Sequence, residues 1–117
     1  MTNPVVHWEI GAKDAAKMGA FYGELFGWRI DHNTALNYRM VDTGGAGIGG
    51  GIFQTDQKTM PPYVTFYIQV DDLQAYLDKA QQLGGKTIVP PMPIPNMGAM
   101  AMFADPEGHV IGLFKTA

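Results

Sequence analysis

VVHWEIGAKDAAKMGAFYGELFGW, residues Val5 to Trp28, reads as a strand, a helix, a glycine stop and the start of another strand. Moved forward by 58 positions, Val5 onto Tyr63, it lands without a gap on YVTFYIQVDDLQAYLDKAQQLGGK, residues Tyr63 to Lys86. Trp8 falls on Phe66, Ile10 on Ile68, Asp14 on Asp72, Leu25 on Leu83 and Gly27 on Gly85; further on, Ile30 falls on Ile88. The identities are few, but they occupy core, cap and stop positions. Such an offset in a 117-residue chain means two copies of one supersecondary unit.

Within the first copy, Val6, Trp8 and Ile10 alternate onto one face of a strand and Val5, His7 and Glu9 onto the other. The Trp8 face is a core face; the His7 face borders something wetter. Asp14 is a helix N-cap, Met18, Phe21, Tyr22 and Leu25 recur at helical spacing, and Gly27 ends the helix. Trp28 to Asp31 and Tyr38 to Asp42 read as strands joined by a loop at His32-Asn33-Thr34, and Ile48 to Gln54 as a glycine-rich fourth strand. Gly49-Gly50-Gly51 is no phosphate loop, because no Lys-Ser/Thr and no helix follow; glycines in a strand permit bulges, curvature or close approach of a ligand.

Thr55 to Pro62 is a polar linker, short enough for one fused domain. In the second copy Tyr63 to Val70 is a strand, and Asp71 or Asp72 caps a helix carrying Leu73, Tyr76, Leu77, Ala80 and Leu83, stopped by Gly84-Gly85. Lys86 to Val89 is the next strand, and Pro90 to Pro95 is expected as a stiff extended loop outside any sheet interior. Gly98 to Ala104 and His109 to Lys115 flank a turn at Asp105-Pro106-Glu107-Gly108. The fold class is therefore α+β: two βαβββ repeats, about 4–55 and about 62–116, in a single domain spanning 1–117.

Apolar residues make up 46% of the chain and charged residues 16%, which argues against disorder. The eight Lys and Arg are scattered and the net charge is −3, so nucleic acid and anionic membrane are poor partners. With no cysteine there is no disulfide, thiolate nucleophile or Cys-based zinc site. Met1 to Pro4 leads straight into a strand and no apolar run spans a bilayer, so a cytoplasmic setting is expected.

Two βαβββ units, with FYGELFGW at Phe21 to Trp28 and DPEGHVIGLF at Asp105 to Phe114, resemble the vicinal oxygen chelate superfamily of glyoxalases, bleomycin-resistance proteins and extradiol dioxygenases. The resemblance covers essentially the whole chain. It implies curled mixed sheets paired into a cup-shaped site, and a homodimer. It also implies metal ligands on the first and last strands of each copy in metal-using members. His7 matches the first ligand; Thr65 stands at its repeat equivalent, and Gly112 stands where the last strand's glutamate is usual. In Ile48 to Gln54 only Gln54 offers a side-chain oxygen. One histidine does not hold a divalent ion, which needs three or more protein ligands, so no metal and no other cofactor is expected.

If His7 faces the cup, so does Glu9, and the repeat sets Thr65, Tyr67 and Gln69 beside them. Gly112 inward brings Val110 and Phe114 inward, and Phe103 and Ala101 are expected opposite Val110 and Gly112. The candidate ligand-binding set is His7, Glu9, Thr65, Tyr67, Gln69, Phe103 and Phe114. The alternative for its aromatics is plain filling of the barrel. His7 and Glu9, about 7 Å apart at i, i+2, are the weak catalytic candidates; a hydrogen-bonded wall histidine is the alternative, with Glu9 paired to Arg29 or Arg39. Met92 and Met97 suit a mobile lip, Met100 and Met102 a place under a helix or at a dimer seam. The leading functional expectation is metal-free binding of a small, largely apolar organic molecule, by analogy with bleomycin sequestration. A metal-dependent glyoxalase-like lyase or isomerase or a dioxygenase using His7, and a non-catalytic subunit or regulatory partner, are the rivals.

Overall fold

The computed structural model describes residues 2–56 and 61–117. Its elements run β1 (Val5–Ala12), α1 (Ala15–Phe26), β2 (Arg29–Asn33), β3 (Tyr38–Asp42), β4 (Gly50–Gln54), β5 (Tyr63–Gln69), α2 (Leu73–Gln82), β6 (Lys86–Ile94), β7 (Gly98–Ala104) and β8 (Val110–Thr116). This is βαβββ twice, an α+β fold, with β5 and α2 starting 58 residues after β1 and α1. The linker expected at Thr55 to Pro62 includes residues 57–60, which lie outside the described residues. No described helix is long and apolar enough to cross a membrane.

The chain forms two compact units, His7–Thr65 and Met1–Val6 with Phe66–Ala117. In the first unit β1 runs parallel to β4, β4 antiparallel to β3 and β3 antiparallel to β2. The second repeats the pattern: β5 parallel to β8, then antiparallel β8–β7 and β7–β6. Parallel neighbours need a crossover, and the helix with the two intervening strands supplies it in each copy.

Each helix is started and stopped by the residues that the sequence marks. Asp14 accepts from the Lys17 backbone N–H at 3.0 Å, and Asp72 from that of Ala75 at 3.1 Å, each satisfying an otherwise orphaned donor. Gly27 closes α1 in the left-handed region at φ 71°, where a Cβ is unfavourable. Beneath α1, Trp8, Ile10 and Ala12 of β1 pack with Ala15, Met18, Val41 and Ile52. Beneath α2, Val70, Leu73, Leu77, Ala101 and Leu113 form the matching core, with Ile68 and Phe103 against it. Ile52 and Leu77 are fully buried, and each stabilises the fold by roughly 1.5–3 kcal/mol.

Two expectations change. His32 lies on β2, paired with Arg39, and the turn falls after Asn33. The proline run is not a loop: β6 continues through Pro90, Pro91 and Pro93 and pairs with β7 as far as Ile94, opposite Gly98. It does so because β6 ends its strand order, and an edge strand is where proline is tolerated. Register shifts between Thr87 and Val89 and between Val89 and Met92 absorb the rest of the misfit.

Candidate functional site

Because Trp8, Ile10 and Ala12 turn toward α1, period-2 alternation turns His7, Glu9 and Gly11 to the opposite, helix-free face. The β1–β4 register carries Gly51 and Phe53 to that face, and the β3–β4 register adds Tyr38 and Met40. This face of the first unit is the candidate site.

Two hydrogen-bonded pairs dominate it. His7 Nε2 shares a 2.7 Å hydrogen bond with the Tyr38 hydroxyl, and the two rings stack with centroids 6.1 Å apart. Burial pushes the His7 pKa below its ordinary 6.5, so the imidazole is neutral near pH 7. The Tyr63 hydroxyl donates to Glu9 Oε2 at 2.5 Å, and Glu9 is buried at 6% exposure. Neither Arg29 nor Arg39 supplies the partner expected for Glu9. Arg29 lies 3.6 Å from Asp31, both exposed, and the Arg39 side chain packs against Gly19 of α1 on the opposite face.

The strand glycines explain how the tyrosines reach these partners. A Cβ on Gly51 would overlap the Tyr38 ring, and a Cβ on Gly11 would overlap the Tyr63 ring. Tyr38 therefore crosses β4 over a bare backbone to meet His7 on β1. The close approach inferred for glycine here is made by the protein's own rings. The sequence reading missed Tyr38 and Tyr63; the available signal was Gly11 and Gly51, each on the strand beside a tyrosine-bearing one.

The seven residues expected to line a site divide between the units. His7, Glu9 and Thr65 belong to the first, with Thr65 buried at 5% exposure. Tyr67, Gln69 and Phe114 share the helix-free face of the second, where β5 pairs Tyr67 with Gly112 and Gln69 with Phe114. Phe103 is a correction. β7 pairs it with Ile111 and sets Met102, not Ala101, opposite Gly112; Phe103 and Ala101 therefore pack under α2. Phe103 lines instead a concavity of about 460 Å³ beside α2, with Ile68, Tyr76, Leu83 and Leu113. Met100 and Met102 accordingly share the helix-free face and do not lie under the helix.

The metal ligands of the resembled superfamily do not fit here. Gly112 has no carboxylate, and the Tyr67 ring occupies the space that any side chain there would enter. Gln54 spends its amide on the turn into α1, accepting from Ala15 N at 2.9 Å and donating to Lys13 O at 2.7 Å. Among the described residues, no three His, Cys, Asp or Glu stand together as an ion would need.

Residues 5–113 match the family described as Glyoxalase/Bleomycin resistance protein/Dioxygenase superfamily. The chain belongs to that superfamily. Among curated members, "Putative glyoxylase CFP32" of Mycobacterium tuberculosis (strain CDC 1551 / Oshkosh) is 30% identical over 113 residues, 92% of this chain and 43% of that protein. "Anthracycline biosynthesis protein DnrV" of Streptomyces peucetius is 29% identical over 123 residues, 92% of this chain and 45% of that protein. The chain thus spans less than half the length of these relatives. Among solved superfamily structures, the Mn(II)-bound glyoxalase from Novosphingobium aromaticivorans aligns with a TM-score of 0.67 at 17% identity, covering 97% of this chain and 40% of that one. That likeness is one of fold alone.

Proposed function

We propose that this superfamily member binds a small, largely apolar organic molecule on the helix-free face of its first unit, without a metal and without making or breaking a bond. The observation that carries the reading is the pairing of a neutral His7 with Tyr38 on a face otherwise built from Tyr63, Phe53 and Met40. Mostly apolar lining with a few fixed polar groups is the usual chemistry of a small-molecule site. The Streptomyces relative is named for anthracycline biosynthesis, which agrees with a small organic ligand. Isothermal titration of the purified protein against a library of small aromatic and alicyclic compounds tests this. Saturable binding weakened by His7→Ala and Tyr38→Ala supports the reading, and a library without a single binder overturns it.

A homodimer belongs to the same proposal. Phe21, Leu25 and Phe26 of α1 are each more than half exposed, apolar surface that suits a second copy of the chain. A metal-dependent glyoxalase-like reaction is the rival reading, favoured by the name of the mycobacterial relative. The glycine at position 112 and the engaged amide of Gln54 weigh against it.

A further inference from the structure

The concavity of about 460 Å³ beside α2 lies wholly within the second unit, on the side of the sheet that carries the helix. Its base is apolar: Val70 and Leu113 are buried, and Ile68 and Phe103 pack against them. Leu83, which lines the same hollow, is 71% exposed. The turn at Pro106 closes against the end of α2, since a Cβ on Gly84 would stand 3.7 Å from Pro106 Cγ. The polar side chains on the lining are Asn3, Tyr76, Lys79 and Asp105. Asn3 and Tyr76 are engaged with each other, Asn3 Nδ2 donating to the Tyr76 hydroxyl at 2.9 Å. Asp105 serves its own turn, accepting from Glu107 N at 2.9 Å and His109 N at 3.0 Å and meeting His109 Nδ1 at 2.9 Å. Lys79, in the last turn of α2, differs. Among the described residues no hydrogen bond or ion pair holds its ammonium group, and it is the sole cation on the lining. A lysine at a helix C-terminus also suits the helix dipole, but an ordinary solvated one has no apolar hollow beside it.

We propose that this hollow is a second ligand site, one that takes a compact amphipathic monocarboxylate with its apolar body against Ile68, Leu83 and Phe103 and its carboxylate on Lys79. The site stands apart from the binding reading above, in a different unit and on different residues. Its volume falls in the range of small-molecule sites. One free cation matches one negative charge, and the Asp105 carboxylate on the same lining weighs against a dianion such as a phosphate ester. Burial of the apolar body drives binding, and the single charge pair sets which head group is preferred.

The test titrates three probes of one body, 3-phenylpropanoate, 3-phenylpropan-1-ol and 3-phenylpropylamine, into the intact chain at low salt, followed by backbone amide NMR shifts. The expected shifts centre on Ile68, Ala80, Leu83 and Leu113, with the carboxylate bound about threefold tighter than the alcohol and the amine weakest. Lys79→Glu is expected to invert the order of carboxylate and amine, a swing of about tenfold in their ratio. Lys79 is exposed, so that exchange leaves the core intact, and each ratio is internal to one protein. Lys17→Glu, the same change of net charge on α1, keeps the wild-type order. Equal binding of carboxylate and alcohol, or tighter binding of the amine, by wild type overturns the ligand class. An order unchanged in Lys79→Glu, or inverted equally in Lys17→Glu, overturns the assignment to Lys79. Shifts centred on His7 and Gly51, or none with any probe up to its solubility limit, overturn the site itself and leave the reading of the first unit to its own titrations.

Discussion

At the scale of single residues, the charge state of His7 is the most exposed claim. Burial lowers its pKa below 6.5, so the unfolded chain takes up a proton at a pH where the folded chain does not. The stability associated with neutral His7 is therefore complete above 6.5 and is lost as pH falls through the lower folded value. Urea denaturation at steps from about pH 7.5 to about pH 4.5 is expected to show that decline, and His7→Gln, which cannot be protonated, to flatten it. An unchanged slope in the variant would assign the decline to another group. Tyr63→Phe removes the donor to buried Glu9 and is expected to destabilise the chain by roughly 1.5–3 kcal/mol, read from the same denaturation curves. Alternation along β1 sufficed to put His7 and Glu9 on one face. Their partners were not legible, because Tyr38 lies 31 residues from His7 and Tyr63 54 from Glu9, and a single sequence carries no record of long-range pairing.

At the scale of elements, the helices were legible because their signals are local. Asp14, Asp72 and Gly27 act within one turn of where they stand. Asp14→Ala and Asp72→Ala are each expected to cost about 1 kcal/mol in thermal unfolding. Gly27→Ala carries a backbone penalty of similar size, since nothing lies within 4 Å to add a clash. Gly112→Ala is different in kind: its φ is unremarkable, but its Cβ enters the Tyr67 ring, and overpacking of about 1–3 kcal/mol is expected. The proline segment was misread because proline excludes a strand interior but not an edge, and edge status follows from strand order rather than from local sequence. Phe103 was misread for a related reason. A one-residue error in the pairing of β7 with β8 sends every side chain of β7 to the wrong face.

At the scale of the whole molecule, the duplication was visible because it preserves core, cap and stop positions, and the fold followed from it. The offset is not constant, however. Glu9 pairs with Gly51 and its repeat mate Tyr67 pairs with Gly112, so the shift has grown from 58 to 61 by the last strand. The longer β6, nine residues against the five of β2, lies between the two registers. That drift left the β4 register open to sequence reasoning and hid Gly51 as the counterpart of Gly112. Two measurements belong to this scale. Mass spectrometry of the acid-digested protein is expected to find far less than one transition metal per chain, unchanged in His7→Ala; near-stoichiometric metal that vanishes in the variant would restore the enzyme reading. Light scattering is expected to give the mass of two chains, falling to one when Leu25 and Phe26 are both replaced by Lys. The glycine–ring pairs also constrain how this sequence can change over time. At Gly112 a larger residue overpacks against the Tyr67 ring, and loss of Tyr67 first leaves a gap over β8. Gly51 and Tyr38 are locked in the same way. Neither partner has a neutral first step, so an acidic side chain at either glycine is reached only through a destabilised intermediate.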